Sequence, residues 1–346
     1  VNVIPAVLIA VLTAALALLG TLALERHAHR LGLVKAPNER SSHTRPTPRG
    51  GGLAIAVAIV VAAIPAGLTG MTTLWPVVLT TSAIAALGFA DDLMDLPAGL
   101  RFPVQLVIIL VLLVAISPLP EIAIGPWRLG GWYLGALLAV VGLWWVNLYN
   151  FMDGIDGIAA SHAILIPTQA LIIIATAGPG ANSSAVMLAA TTIAASAGFL
   201  IRNWPPARIF MGDAGSNALA LMIFALALIS LASGALTYQV WLILPAVFVS
   251  DATVTLVRRA LRGEAPWKAH RRHAYQQLAR LLGHRTTTLI YCLFSLSWAF
   301  PLALLAEHLP EYSWQIVALA YLPLVVATLA AGGGAASESA SSSVAS

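Results

Sequence analysis

Long apolar runs recur from one end of this 346-residue chain to the other, with only short polar connections between them, and that alternation constrains the fold more than any other feature. A bilayer core about 30 Å thick takes roughly 20 mostly apolar residues per helix, and backbone crossing it must satisfy its own N–H and C=O groups. Eleven runs meet that need: residues 3–24, 51–68, 75–90, 103–118, 132–150, 157–178, 184–200, 217–234, 239–257, 287–306 and 315–333. Only 9% of the residues are charged and 59% are apolar, too little polar surface to clothe a water-soluble globule. The expected fold class is all-α, a polytopic membrane helix bundle of about 11 transmembrane helices. The first run lacks a basic flank ahead of it and is too long for a signal-peptide core, so it is expected to stay as a helix.

Sidedness follows from Lys and Arg, which short cytoplasmic loops retain. Of these 18 residues, 17 fall in alternate connections, at 25–50, at Arg101, at Arg202 and Arg208, and at 258–286; Arg128 alone lies in the other set. The count predicts an outside N-terminus and an inside C-terminus. No polar stretch is long enough for a soluble domain, so residues 1–333 are expected to form one transmembrane domain with its function at the cytoplasmic face, followed by a disordered tail at 334–346. The formal charge of +4 suits anionic lipid or phosphate, and without a basic soluble module nucleic acid is not expected as a partner. The single cysteine, Cys292, lies inside a predicted span and reads as a small buried hydrophobe.

Ionisable groups near membrane depth are costly, so their placement is informative. In GFADDLMDLPAGLRF, Asp91 and Asp92 are adjacent at a helix end, which suits a divalent ion, a proton acceptor or a solvated terminus. In NLYNFMDGIDG, Asn147, Asn150, Asp153 and Asp156 are three apart; an ideal helix drifts about 60° per such step, so Gly154 and Gly157 must break it if all four are to face one spot. In RIFMGDAGSNALA, Asp213 precedes small residues whose backbone N–H groups can meet an anion, and Phe210 is either a stacking surface or an interfacial aromatic, the latter favoured. Lys268, His270, Arg271, Arg272 and His273 crowd six positions, a density suited to a diphosphate or to a topology signal. The first loop adds Arg40, His43, Arg45 and Arg49 beside a Gly triplet, and Asp251, inside the ninth run, reads as structural.

These segments, in this order, resemble the polyprenyl-phosphate N-acetylhexosamine-1-phosphate transferases, the superfamily that includes phospho-N-acetylmuramoyl-pentapeptide transferase. RSSHTRPTPRGGG is similar to the family's first loop, ADDLMD to its acidic pair, NLYNFMDGIDGIA to its signature, FMGDAGS to its metal motif, and the Asp251 region with HRRHAY to its last loop. The resemblance implies transfer of a sugar 1-phosphate from a UDP-sugar to undecaprenyl phosphate with release of UMP, dependent on Mg2+ with Mn2+ as a substitute, in a bacterial inner membrane with a cytoplasmic site. It implies Asp213 and Asn150 as metal ligands, Asp156 and Phe210 on the uracil, Asp153 in nucleotide binding and catalysis, Asn147 as substrate-binding, and Asp91 or Asp92 accepting the lipid phosphate's proton or assisting metal and phosphate placement. It further implies Arg101, His270, Arg271, Arg272 and His273 around the diphosphate and sugar, with a homodimer left open.

Two departures matter. A Lys common in relatives after the acidic pair is Gly99 here, which leaves Arg101 to act alone. HRRHAYQQL stands where relatives handling UDP-N-acetylglucosamine or the muramoyl pentapeptide often have a run of histidines; the loop leans toward O-antigen-initiating members that use deoxy N-acetylsugars. The other readings are the pentapeptide transferase, an ion-coupled transporter and a non-catalytic scaffold. A transporter site is expected near the midplane of related halves, whereas these acids gather at one face and no inverted repeat is visible.

Overall fold

The computed structural model describes residues 3–34, 47–177, 182–264 and 271–335. Its helices are α1 (Val3–His27), α2 (Gly52–Leu68), α3 (Leu74–Met94), α4 (Ala98–Ile116), α5 (Gly131–Met152), α6 (Ile158–Ala177), α7 (Ser183–Asn203), α8 (Gly212–Ala232), α9 (Tyr238–Ile243), α10 (Ala246–Ala260), α11 (Ala274–Phe294), α12 (Phe300–His308) and α13 (Ser313–Ala330). Among the described residues, nine helical stretches are long and apolar enough to cross a membrane. The chain is a multi-pass membrane helix bundle.

Three of the expected runs differ in detail. The second forms α2, 17 residues long. The ninth divides into α9 and α10 around Leu244 and Pro245, where proline has no N–H to continue the ladder. The tenth begins 13 residues early, because α11 starts at Ala274, bends at Gly283 (φ 79°), and runs through a π turn at Ser295–Ala299 into α12. The all-α expectation also needs one correction: β1 (Ile122–Ile124) and β2 (Trp127–Leu129) form a small antiparallel hairpin between α4 and α5, with Gly125 turning at φ 56°. Three-residue strands leave too little alternation to stand out between two apolar helices.

Helix α8 is the axis of the bundle, buried along its whole apolar length and packed by α3, α5 and α2. Small residues make that approach possible, as is usual where helices meet inside a bilayer. A Cβ on Gly52 would lie 2.2 Å from the Gly215 Cα, and one on Gly88 would lie 2.4 Å from the Asp213 carbonyl oxygen. The connections that carry most of the basic residues meet at one end of the bundle, tied by Gly51 N–H to the Phe210 carbonyl (3.0 Å) and by Arg202 to Glu25 (2.6 Å).

At the same end the boundary expected after residue 333 falls inside a docked turn. Gly334 donates its N–H to the Arg272 carbonyl at 2.7 Å, and Arg258 donates to the Gly333 carbonyl at 2.5 Å. Residues 336–346 lie outside the described residues.

Candidate active site

The last turn of α3 and the first turn of α8 form one corner of the polar end. Asp92 places one carboxylate oxygen 3.0 Å from the N–H of Asp213 and the other 3.2 Å from the N–H of Ala214, so it caps the open start of α8. Gly212 fits beneath it at φ 74°, where an added Cβ would come 2.6 Å from an Asp92 oxygen. Asp91 accepts the Leu96 N–H at 2.7 Å and pairs with Arg101, whose guanidinium also reaches Asp213 at 3.3 Å. Asn150, at the end of α5, donates to Asp213 at 3.0 Å and to the Ser216 hydroxyl at 2.8 Å. Asp91, Arg101, Asn150 and Asp213 are thus one connected network.

Asn147 is not part of it. Its amide donates to Gln105 of α4 at 2.9 Å and to the Leu143 carbonyl at 2.8 Å, one turn into the membrane from Asn150. Asp153, just beyond α5, belongs to the corner electrostatically: burial pushes its carboxyl well above the usual carboxylate range, Asp213 and Asp92 add to that, and Arg49 opposes it.

Asp156 occupies a second pocket of contacts. Its carboxylate accepts the Ala207 N–H at 3.0 Å and lies 3.4 Å from Nδ1 of His284, while its carbonyl accepts from Thr288 at 3.0 Å. Gly157 turns at φ 75° and donates to Asn203 at 2.9 Å. Phe210 is held through its backbone, N–H to the Pro48 carbonyl at 2.8 Å, on the strand of chain that leads to Asp213. His284 lies in a stretch that the sequence presents as basic loop, and the only local mark of its position is Gly283 directly before it, where α11 bends.

The last loop joins the corner through aromatic contacts. His273 stands at the start of α11, stacked at 6.3 Å on Phe151 at the end of α5. Tyr275 donates its hydroxyl to the Phe151 carbonyl at 2.8 Å, and an added Cβ on Gly154 would lie 1.9 Å from that hydroxyl. Asp251 caps α11, accepting from Ala274 at 2.9 Å, Tyr275 at 2.8 Å and the Tyr291 hydroxyl at 2.5 Å, with His273 Nδ1 at 3.4 Å. Arg271 presents its carbonyl to Gln277 at 3.0 Å, and Arg272 pairs with Glu264 at 2.6 Å, so its guanidinium is engaged by protein in this state. His270 lies outside the described residues, as do Arg40, His43, Arg45 and Lys268.

The family model described as "Glycosyl transferase family 4" matches residues 74–231, a stretch that holds the acidic pair, the α5 signature and Asp213. A decaprenyl-phosphate N-acetylglucosaminephosphotransferase of Mycobacterium tuberculosis is 30% identical over 302 residues, covering 77% of this chain and 74% of that one. The chain belongs to this family. A probable undecaprenyl-phosphate N-acetylglucosaminyl 1-phosphate transferase of Bacillus subtilis is 29% identical over 276 residues, covering 77% and 75% of the two chains. A phospho-N-acetylmuramoyl-pentapeptide-transferase of Corynebacterium diphtheriae is 30% identical over 267 residues, covering 62% and 72%. Family 4 comprises polyprenyl-phosphate sugar-1-phosphate transferases, so this chain is a membrane enzyme of that kind.

In this family 4 chain the donors around the start of α8 suit a hard divalent cation. Among the described residues no three His, Cys, Asp or Glu side chains form a complete cage. Mg2+ commonly keeps several waters and takes one or two carboxylates together with substrate phosphates, so a cage is not required. Asp213 and Ser216 offer carboxylate and hydroxyl oxygens there, Asn150 turns its amide NH2 to both and would offer its oxygen on rotation of the amide, and Asp213 is 29% exposed against 7% for Asp91. The residues present fit the ion.

Proposed function

We propose that this protein transfers the 1-phosphate of an N-acetylhexosamine from its UDP conjugate to undecaprenyl phosphate, releasing UMP, at the cytoplasmic face of a bacterial inner membrane. The observation that carries the reading is the meeting of Asp91, Arg101, Asn150 and Asp213 with the His273 loop across the end of α5. Anionic and cationic side chains gather there at the polar end of the bundle, the arrangement that joining a nucleoside diphosphate to a lipid phosphate requires.

A phosphate oxygen of the lipid attacks the β-phosphorus in line, the bond from that phosphorus to the bridging oxygen breaks, and UMP leaves carrying that oxygen. Most of the catalysis in such transfers is positioning and charge stabilisation. Mg2+ held by Asp213 and Asn150 would neutralise diphosphate charge. Arg101, between Asp91 and Asp213, compensates charge that builds on the phosphates, and Arg271 and His273 grip them from the other side. Asp91 receives any proton left on the lipid phosphate; Asp92 serves as a positioning residue, because both its oxygens face the backbone of α8. Phe210 stacks on the uracil, and Asp156 shapes its pocket.

The lipid tail has a place to lie. A cavity of about 410 Å³ runs beside α5, lined by Trp144, Trp145, Leu148, Phe224, Tyr238 and Trp241, and Leu148 follows Asn147 directly.

The names of the relatives favour N-acetylglucosamine, and with it cell-wall polymer synthesis; the deoxy sugars and O-antigen initiation rest only on the HRRHAYQQL loop. A pentapeptide-bearing donor is the second reading, favoured by the Corynebacterium relative. Membranes containing the protein, supplied with undecaprenyl phosphate, Mg2+ and a panel of UDP-sugars, should release UMP with UDP-N-acetylglucosamine. Release only with UDP-N-acetylmuramoyl-pentapeptide selects the second reading, and release with none overturns both. Sidedness is checked in a Cys292→Ser background, where Ser42→Cys should resist labelling by a membrane-impermeant thiol reagent in intact cells.

A further inference from the structure

We infer that Glu264 and the C-terminal turn at 332–334 are positioning elements of the diphosphate loop, holding the backbone at 271–273 in place; this rests on the transferase reading above. Glu264 follows α10 and is fixed from that side, accepting Arg259 Nε at 2.9 Å on one oxygen while Arg262 Nε lies 3.4 Å from the other. The Arg259 side chain is 4% exposed, so this anchor is set into the bundle. The second carboxylate oxygen takes Arg272 Nη1 at 2.6 Å, which closes the base of the last loop. The neighbouring arginines hold this Glu below the usual carboxylate range, Arg259 first.

The turn after α13 grips the same residue from behind. Gly334 donates its N–H to the Arg272 carbonyl at 2.7 Å; the Gly333 carbonyl accepts from Arg258 at 2.5 Å, and the Gly334 carbonyl accepts from Arg262. Gly332 and Gly334 turn at φ 76° and 67°, where a side chain is strained, and a Cβ on Gly334 would also meet the Thr255 carbonyl at 2.8 Å. Arg272 is therefore held by both its guanidinium and its carbonyl, and the next residue is His273, which faces Phe151 across the site. Arg258 and Arg259 at the end of α10 and Arg262 just after it, which the sequence presents as topology-setting charges, thus hold the loop in this structure. Arg271 and His273 are the residues whose position depends on the hold.

The test uses the full chain with Glu264→Gln and Gly334→Ala, singly and together, assayed with undecaprenyl phosphate and UDP-N-acetylglucosamine. Each single variant should raise KM for the UDP-sugar about tenfold with kcat within about twofold and KM for the lipid unchanged. The double variant should be little worse than either, because both act on one anchored residue. Hydrogen exchange across 271–277, which needs no turnover, should quicken in both. Wild-type KM in both variants, a lower KM showing that Glu264 competes with diphosphate for Arg272, or unchanged exchange would each overturn the inference. A wild type that releases no UMP with any donor sinks the transferase reading instead, and leaves the exchange result to decide whether Glu264 and the turn hold the loop.

Discussion

Helices α8 and α11 both begin at the polar end of the bundle with their first N–H groups turned toward a buried carboxylate from a different helix. Asp92 of α3 meets Asp213 and Ala214; Asp251 of α10 meets Ala274 and Tyr275. A carboxylate at a helix start satisfies orphan donors and lies favourably in the helix dipole. The difference lies in what each cap presents. The start of α8 carries an anion, Asp213, suited to a cation; the start of α11 carries His273, with Arg271 two residues before it, suited to an anion. One capping device, used twice, places opposite charges on two sides of the proposed diphosphate site.

The sharpest way to break this contrast is to neutralise what the first cap presents. Asp213→Asn keeps the shape and loses the charge, so kcat should fall about 100- to 1,000-fold, as when a main electrostatic catalyst is removed. Expression and thermal stability in detergent should stay near wild type. Near-normal, Mg2+-dependent turnover would move the metal to Asp91.

Neutralising the caps themselves comes next in size. Asp92→Asn and Asp251→Asn each turn an amide NH2 toward a backbone N–H, leaving a buried donor unsatisfied at about 1–3 kcal/mol. The loosened start of α8 should raise the Mg2+ concentration for half-maximal rate about tenfold, with most of kcat recovered at saturation. Asp251→Asn should instead raise KM for the UDP-sugar and leave the Mg2+ response alone. If both variants moved the same parameter, the division of labour between the two helix starts would be wrong; if Asp92→Asn lost kcat at every Mg2+ concentration, Asp92 would be the proton acceptor after all.

In the sequence these two carboxylates looked unlike each other. Asp92 sits in a conspicuous acidic pair and so invited a chemical role, while Asp251 stands alone in an apolar run. Asp213 and Asn150 were legible because local spacing and flanking glycines expressed them. Capping between helices was not, since Asp92 and Asp213 are 121 positions apart and only packing brings them together. The same holds for Asn147, whose partner Gln105 lies 42 positions away, and for Asp156 with His284. The spans were legible because hydropathy is a local property. The site end of α11 was not, because its charges and the bend at Gly283 disguise a helix as a loop.

A smaller effect should come from the joint between the two regions. Gly154→Ala would bring a methyl to 1.9 Å from the Tyr275 hydroxyl, so the end of α5 or the start of α11 must shift. Both kcat and thermal stability should drop. In a Tyr275→Phe background, where the hydroxyl is gone, the further loss caused by Gly154→Ala should shrink. Equal losses in the two backgrounds would show that the glycine serves some other contact.

The smallest effect expected is a pH dependence, and it separates the ion pair beneath the last loop from the rest of the site. Arg259 first, then Arg272, hold the Glu264 carboxyl below the usual carboxylate range. A carboxylate with a depressed folded value contributes above its unfolded value and loses that contribution as pH falls through the folded one. The KM of Glu264→Gln divided by that of wild type should therefore stay constant within about twofold from about pH 6 to 8. Titrations common to both proteins divide out of this ratio, so it reports Glu264 alone. Below the folded value the wild-type pair is itself neutralised, and the ratio should fall toward one. A ratio that changed across neutral pH would mean that Glu264 exchanges a proton while the enzyme works, and the hold on Arg272 would then be a switch instead of a fixed support.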